Sequence, residues 1–193
     1  MTAILWIGLV QGSIRDGRFN DTITNWAARR LEGQGFALRR IDPRDPDLLP
    51  LQTGDAAAAA RLGERLADLG GFVVVTPGYK HPAPGPLKTL IDAAHAEWQA
   101  RPVGLISYGG VSGGLRASET LRPVFAELHA MTLRDTVSFA MPFGRFGEDG
   151  EMTDAAEATR ADAAIATFGA SLAWWGHALH AARERRPYEK RAA

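Results

Sequence analysis

The sequence predicts an α/β protein in which helices cover both faces of a mainly parallel sheet. Three apolar runs, which begin at Ile4, Phe72 and Val103, are continuous rather than alternating. Continuous runs are typical of strands that are buried on both faces of a parallel sheet. Helical patterns of crossover length separate the runs, so the connections are expected to be right-handed.

Five strands are expected, each an apolar run that ends in polar or turn-forming residues. In chain order they read ILWIGLV from Ile4, FALRRI from Phe36, FVVVTP from Phe72, VGLISY from Val103 and the shorter LRDTVSF from Leu133. Apolar residues at steps of three or four after the strands predict helices with one buried face. These faces are Ile23, Trp26, Ala27 and Leu31; Leu62, Leu66 and Leu69; Leu87, Leu90, Ile91, Ala94 and Trp98; Leu121, Val124, Phe125 and Leu128; and Ile165, Phe168, Leu172, Trp175 and Leu179.

Residues 1–182 are expected to form a single domain, because 193 residues with 46% hydrophobic content suit one well-buried core. The segment MPFGRFGEDGEMTD, residues 141–154, is interpreted as a long surface loop. Residues 183–193 are interpreted as a charged, solvated tail. Trp174 and Trp175 are expected to pack the last helix on the sheet or at a subunit contact.

The amino-acid composition excludes several classes of partner and of reactive group. Twenty-two Lys and Arg balance 22 Asp and Glu, so no net charge attracts the chain to nucleic acid or to an anionic membrane. The chain has no cysteine, which excludes thiolate nucleophiles and Cys-ligated metals, and any redox chemistry therefore needs a cofactor.

Neither a metal site nor a membrane segment is expected. His177 and His180 have no recognisable third ligand in the sequence, so no metal site is expected. The N-terminus has no basic leader and no apolar run long enough to span a membrane, which favours a cytoplasmic location.

Ligands of parallel sheets bind beyond the carboxyl ends of the strands, which here are followed by three glycine-containing loops. The first loop, QGSIRDGRFN from Gln11, lacks both the dinucleotide and the Walker A patterns. Ser13, Arg15 and Arg18 instead offer a hydroxyl and two guanidinium groups, and Asn20 is expected to cap the next helix. A terminal phosphomonoester suits such a site. The alternative is a simple N-cap turn with two solvated arginines.

The segments GSIRDGRFN, TPGYKHPAPGPLKTLID and SYGGVSGGLRASETLRPVFAEL, at these spacings, resemble the NADPH-dependent FMN reductase family from Ile4 to Phe139. This family also includes quinone, azo and chromate reductases. The resemblance implies a flavodoxin-like three-layer αβα sandwich with five parallel strands in the order 2-1-3-4-5. It also implies non-covalent FMN, NAD(P)H as electron donor, a small-molecule acceptor and a homodimer or homotetramer.

The resemblance further implies where the flavin binds. Residues 12–20 would hold the FMN phosphate, residues 77–80 would lie along the isoalloxazine, and residues 107–110 with Gly113 would cover its other approach. No protein residue is expected to be catalytic, because the flavin carries the hydride. The implied cofactor-binding residues are Gly12, Ser13, Ile14, Arg15, Arg18, Phe19, Asn20, Pro77, Gly78, Tyr79, Lys80, Ser107, Tyr108, Gly109, Gly110 and Gly113.

The chain departs from the family pattern at three of these positions. Arg18 stands where the family often has serine, and this keeps affinity for an anion while replacing a short hydroxyl by a long cation. The second loop usually reads T-P-E-Y-N in the family but reads TPGYK here. Gly78 therefore replaces an acidic residue, and Lys80 brings a charge where an amide is expected.

Two other functions stay open. The segment GVSGG, residues 110–114, matches the GxSxG pattern of a serine hydrolase, with Ser112 as nucleophile, Asp135 or Asp162 as acid, and His177 or His180 as base. The nucleophile elbow of such an enzyme needs a strand that runs almost directly into the serine, whereas Tyr108, Gly109 and Gly110 intervene here. The other alternative is a non-enzymatic FMN-binding electron carrier, which rapid NAD(P)H oxidation would exclude.

Overall fold

The computed structural model describes residues 4–188. Its five strands are β1 (Trp6–Gln11), β2 (Ala37–Ile41), β3 (Gly71–Pro77), β4 (Pro102–Gly109) and β5 (Met131–Ala140). They form one parallel sheet in the order β2-β1-β3-β4-β5, which confirms the expected topology. The helices are α1 (Asn20–Gly33), α2 (Ala56–Leu66), α3 (Gly85–Asp92), α4 (Leu115–Glu127) and α5 (Ala155–Arg185), and a 3₁₀ turn (Leu49–Thr53) precedes α2.

Both faces of the sheet are covered by helices. On one face, α1 and α5 pack on side chains such as Val73 and Val75 of β3. On the other face, α2, α3 and α4 pack on Phe72 and Val74 of the same strand. Every residue of β3 is buried, which explains why its apolar run is continuous. The edge strand β5 instead alternates between buried and exposed residues and begins two residues before the predicted Leu133.

The third helix is shorter than its apolar spacing predicts. It ends at Asp92, although Ala94 and Trp98 beyond it are still buried. Trp98 donates a hydrogen bond from its indole Nε1 to the carbonyl oxygen of Ile91 at 3.1 Å. The indole N–H of Trp98 thus donates to a carbonyl oxygen of the last helical turn, where no later residue of the helix supplies an N–H group. The aromatic ring of Trp98 then packs on Phe72, with ring centroids 4.4 Å apart.

The last helix extends past the core that it covers. Ile165, Phe168 and Leu172 are buried as predicted, but Trp175 is 37% exposed and Trp174 is 63% exposed. The two tryptophans contact each other, with centroids 4.7 Å apart, and are not buried against the sheet. The alternative expectation, that they lie at a subunit contact, stays a prediction. With 31 residues, α5 is about 46 Å long, whereas the ten residues of β5 span about 33 Å. The helix is therefore longer than the strands that it covers.

The predicted tail begins inside this helix, because α5 continues to Arg185. Residues 189–193 of that predicted tail lie outside the described residues. The predicted loop of residues 141–154 carries no helix or strand. It is anchored to α1, since Glu151 forms salt bridges with Arg29 and Arg30. Hydrogen bonds from Arg30, and then from Arg29, lower the pKa of Glu151 despite some burial. Within residues 4–188, no helix is long and apolar enough to cross a membrane.

Candidate functional site

The three glycine-containing loops meet at the carboxyl edge of the sheet, because β1, β3 and β4 are neighbours there. Backbone hydrogen bonds join them to adjacent strands. The N–H of Gly12 donates to the carbonyl oxygen of Val75 at 2.9 Å, and the N–H of Gly78 donates to that of Tyr108 at 2.9 Å. This is the edge at which parallel sheets bind ligands.

The first loop begins so close to β3 that only glycine fits at position 12. A Cβ atom on Gly12 would lie 2.8 Å from the carbonyl oxygen of Val75 and 3.1 Å from the Cα of Thr76. Next to it, Ser13 is fully buried. The Oγ of Ser13 lies 3.2 Å from the hydroxyl of Tyr79 and accepts a hydrogen bond from the N–H of Arg15 at 3.4 Å. Ser13 therefore connects the first loop to the second.

The helix that follows has an uncapped N-terminus. Phe19 occupies the N-cap position without a side-chain hydrogen bond, so the prediction that Asn20 caps α1 is wrong. Asn20 is buried, and its amide donates to the carbonyl oxygen of Val75 at 2.9 Å. Its Oδ1 accepts a hydrogen bond from Nε2 of Gln11 at 3.3 Å. The side chain thus bonds to both β1 and β3 and does not cap the helix. In the first helical turn, the N–H groups of Asp21 and Ile23 donate to the carbonyl oxygens of Arg18 and Phe19.

The loop before the helix offers backbone donors. Among residues 4–188, the backbone N–H groups of Asp16, Gly17 and Arg18 form no hydrogen bond to another backbone group. Unpaired N–H groups in a turn, followed by the positive end of a helix dipole, form a binding site for an anion. Arg15 stands beside them with its side chain exposed, and its guanidinium carbon lies 3.7 Å from the centroid of the Tyr79 ring.

Arg18 is placed differently from the prediction that it faces an anion. Its side chain is only 5% exposed and forms salt bridges with Asp42 and Asp21. It also donates to the carbonyl oxygen of Ser13. Because these acceptors take its donors, Arg18 fastens the first loop to the end of β2. The hydrogen bond to Asp42 is the main reason why the pKa of Arg18 is raised, although burial opposes it.

A groove of about 380 Å³ runs between the first and second loops. Its walls combine polar groups of the first loop with apolar prolines of the second. The residues that line it are Ser13, Ile14, Arg15, Tyr79, Pro82, Ala83, Pro84, Gly85 and Pro86. The groove therefore combines polar groups with apolar side chains, which suits a ligand that has an apolar part and a polar or charged part.

The second loop packs closely on the third loop where Gly78 meets Gly114. A Cβ atom on Gly78 would lie 2.9 Å from the Cα of Gly114, so the glycine that replaces the family's acidic residue has a steric reason. Lys80 and His81 both have positive φ, 49° and 88°, which is uncommon for residues with side chains. The Nε2 of His81 lies 2.9 Å from Nη1 of Arg116, which joins this loop to α4. Lys80 is exposed at the rim.

The third loop is held from below by two serine hydroxyl groups. Ser107 and Ser138 both donate to the carbonyl oxygen of Gly113, each at 2.9 Å. The Ser107 side chain is therefore buried beneath the loop, with its hydroxyl bonded to the backbone. Gly113 has a φ of 58°, and a Cβ on it would collide with the Ser138 hydroxyl. The exposed part of this loop is the turn that begins at Gly110.

Two of the residues implied as flavin-binding place their rings behind the loops. Tyr108 is buried, and its ring lies 5.9 Å from that of Phe19. Burial raises the pKa of the Tyr108 phenol. Phe19 in turn packs on Phe143 and Phe146 of the segment after β5. The backbones of Tyr108 and Phe19 thus border the site, while their side chains pack behind the loops. Pro77 is likewise buried.

The structure does not assemble the serine hydrolase triad. His177 borders Ile4 and Phe36, which precede β1 and β2 and therefore lie at the amino edge of the sheet, away from Ser112. Asp135 accepts a hydrogen bond from Ser171 at 2.8 Å, and Asp162 accepts one from Arg30 at 2.9 Å. Both predicted acids are thus engaged elsewhere. Within residues 4–188, no group of three potential metal ligands is found.

Comparison with known proteins agrees with this geometry. The family model described as NADPH-dependent FMN reductase matches residues 6–143. The chain belongs to this family. The NAD(P)H-dependent FMN reductase of Schizosaccharomyces pombe is 31% identical over 122 residues, which cover 58% of this chain and 61% of that protein. The chain therefore spans about three fifths of the length of this relative.

A bacterial relative and a solved structure extend the comparison. The quinone reductase of Escherichia coli K12 is 30% identical to this chain over 148 residues, which cover 69% of this chain and 76% of that protein. The flavoenzyme FerB of Paracoccus denitrificans, an NAD(P)H:(acceptor) oxidoreductase, superposes with a TM-score of 0.67 at 19% identity. That match covers 89% of this chain and 98% of the other, and it shows that the fold is shared.

Proposed function

We propose that this member of the FMN reductase family binds FMN non-covalently and uses it to pass hydride equivalents from NAD(P)H to small acceptors. The acceptors would be quinones or free flavin, as the names of the relatives indicate. The observation that carries the proposal is a set of N–H groups, at Asp16, Gly17 and Arg18, that find no backbone partner among residues 4–188 and lie next to an α1 without a side-chain cap. This donor set lies at the edge of the sheet where a parallel α/β protein binds its ligand.

The residues present fit FMN. Ser13 and Arg15 stand beside the free N–H groups and would bind the terminal phosphate. The second loop, with Gly78, Tyr79 and Lys80, would border the isoalloxazine, and the backbone from Gly109 to Gly113 would limit access of water from the other side. Bound FMN would supply the hydride acceptor, so the chain needs no acid–base pair of its own. The task of the chain is to bind, orient and shield.

A non-enzymatic electron carrier is the second candidate for this fold. The names of the relatives, which are reductases that use a nicotinamide donor, favour the enzyme. The decisive experiment is a titration of the purified protein with FMN, followed by addition of NADPH or NADH and a quinone. We expect a perturbed flavin spectrum and catalytic oxidation of the donor. A protein that binds FMN but oxidises neither donor would be a carrier, and one that binds no flavin would refute the proposed function.

We further propose that the protein works in the cytoplasm as a homodimer or homotetramer. Self-association is supported by exposed apolar side chains beside the third loop, among them Val111, Leu115, Met141 and Phe143. The N–H of Met141 donates to the carbonyl oxygen of Gly109 at 2.8 Å, so this group of side chains adjoins the site. Such a patch is typical of a protein–protein contact. Light scattering after size-exclusion chromatography would give the mass of the assembly.

Arg15→Ala is expected to weaken FMN binding by about 1.5–3 kcal/mol, the usual value of a hydrogen bond that involves a charged group. Riboflavin has no phosphate, so its affinity should change little. Fluorescence titrations with both flavins would measure the two losses. Arg40→Ala removes an exposed arginine of β2 that bonds to Asn25 and serves as control. Equal losses for FMN and riboflavin would show that Arg15 does not contact the phosphate.

Ser112→Ala is expected to leave NAD(P)H oxidation within a few-fold of the wild type, because neither predicted histidine base belongs to the loops around this serine. An acylating probe for activated serines should not label the protein. Mass spectrometry of the probe-treated wild type measures this directly. Stoichiometric labelling at Ser112 would revive the hydrolase alternative and contradict the assignment.

A further inference from the structure

A second pocket, of about 520 Å³, lies at the opposite end of the sheet from the three loops. It opens at the amino edge, where Ala100 precedes β4 and Met131 begins β5. The last turns of α5 close it with Leu179 and Arg183. None of its lining residues belongs to the proposed flavin site, so this pocket needs a separate explanation.

The pocket has an apolar floor and a cationic rim. Small and aliphatic side chains form the floor, among them Ala130, Met131 and Leu179. The rim contains Arg183 and Arg186 together with the ring of His129, whose Nδ1 lies 2.6 Å from the hydroxyl of Tyr188. This combination suits a molecule with an apolar body and one anionic group.

Arg183 and its neighbour Arg101 bond to backbone carbonyl groups and not to carboxylates of residues 4–188. Arg183 donates to the carbonyl oxygen of Ala100, and its neighbour Arg101 donates to the carbonyl oxygens of Leu69 and Glu97 at 2.7 and 2.6 Å. Among residues 4–188, neither arginine forms a salt bridge. Acidic groups act on them only through their charge, which raises the pKa: Glu97 and Asp68 act on Arg101, and Glu184 acts on Arg183.

The pKa shifts of Arg101 and Arg183 agree with their lack of salt bridges to residues 4–188. Burial lowers the pKa of both, and the charge of Arg183 lowers the pKa of Arg101 further. Both guanidinium groups stay protonated at neutral pH. Two partly buried like charges repel each other, so a bound anion would relieve an unfavourable interaction.

Stabilisation of the helix end is a different role for basic residues, and it does not account for Arg183. Lysine or arginine in a last turn normally interacts with the negative end of its own helix. Arg183 instead directs a donor at Ala100, which belongs to the segment before β4. Arg185, two residues later on α5, is exposed and does not line the pocket.

We propose that this pocket binds a small amphiphilic carboxylate. The apolar body of the ligand lies on Ala130, Met131 and Leu179, and its carboxylate accepts hydrogen bonds from Arg183 and Arg186. Arg–carboxylate pairs are strong because the planar guanidinium presents parallel donors to both oxygens. The proposal does not depend on the flavin site, and its failure would leave the proposed function untouched.

The test is calorimetric titration of the purified 193-residue protein with octanoate, octanol and octylamine. We expect octanoate to bind with one molecule per chain and the alcohol and the amine to bind at least about tenfold more weakly. Arg183→Gln should weaken octanoate binding by a similar factor. Arg185→Gln is the matched control, since it removes the same charge from the same helix outside the pocket, and it should bind octanoate like the wild type.

Two further measurements keep the result clear. Leu179→Gln retains every cation but makes the floor polar, so it should also weaken octanoate binding. The affinity for FMN should stay unchanged in all variants, which locates the octanoate away from the flavin. The proposal is overturned if octanoate does not bind the wild type, if octanol binds equally well, or if Arg185→Gln and Arg183→Gln lose affinity equally.

Discussion

Gly114→Ala is expected to destabilise the protein by about 2–5 kcal/mol, the sum of a left-handed backbone penalty and a steric collision. Gly114 has a φ of 78°, and a Cβ on it would lie 2.7 Å from the carbonyl oxygen and 2.9 Å from the amide nitrogen of Tyr108. Both atoms belong to the backbone of β4 and cannot move without disturbing the sheet. The variant should lose FMN affinity as well, because Gly78 packs against Gly114.

Gly54→Ala is the matched control for this prediction. Gly54 has the same φ of 78°, but a Cβ on it would meet no atom within 4 Å. Only the backbone penalty of about 1–2 kcal/mol should remain. Urea unfolding of both variants measures the difference, which isolates the collision with Tyr108. Equal losses in the two variants would mean that the loop can shift away from β4.

The general fold could be predicted because its signals are local. Continuous apolar runs mark β1, β3 and β4, since these strands are buried on both faces. The ends of the helices were harder to predict. Trp98 continues the apolar spacing of α3 from outside the helix, because its indole bonds to Ile91. Trp174 is exposed because the buried face of α5 at this turn is formed by Leu172 and Gly176. Gly176 packs closely on Leu5, and a glycine gives no apolar signal in the sequence.

The meeting of the three glycine-containing loops at one edge of the sheet could be predicted from the sequence, because each loop follows a strand of the same parallel sheet. The glycines and arginines of the loop after β1 are visible in the sequence. The partners of its polar residues are not, because they are distant in the chain. Asn20 bonds to Val75, 55 residues away, and Arg18 pairs with Asp42, 24 residues away. A residue that is free to bind a ligand therefore cannot be distinguished by type from one that is held by the protein.

The pair of Arg18 and Asp42 gives the second large expected effect. The carboxylate of Asp42 is 17% exposed, and Arg18 is its main cationic partner. Arg18→Ala would leave this carboxylate without its partner, and we expect a loss of about 3 kcal/mol or more in the free energy of unfolding. Arg65→Ala is the control, because Arg65 also bridges two aspartates, Asp45 and Asp47, but in a more exposed setting. Its loss should be at most about 1 kcal/mol.

The pH dependence distinguishes this ion pair from simple loss of packing. Burial opposes ionisation of Asp42, but hydrogen bonds from Arg18 and from the N–H of Arg44 outweigh it, so its pKa is lowered in the folded protein. A lowered pKa contributes stability above the unfolded value, which is about 3.9 for aspartate, and this contribution is lost as the pH falls through the folded value.

In Arg18→Ala, burial still opposes ionisation of Asp42, and only the weaker hydrogen bond from the N–H of Arg44 still favours it. The difference in unfolding free energy between wild type and variant should therefore be largest near neutral pH and shrink as the pH falls below about 4. Urea unfolding across this pH range measures the difference. A difference that does not change with pH would show that Arg18 acts through packing and not through its charge on Asp42.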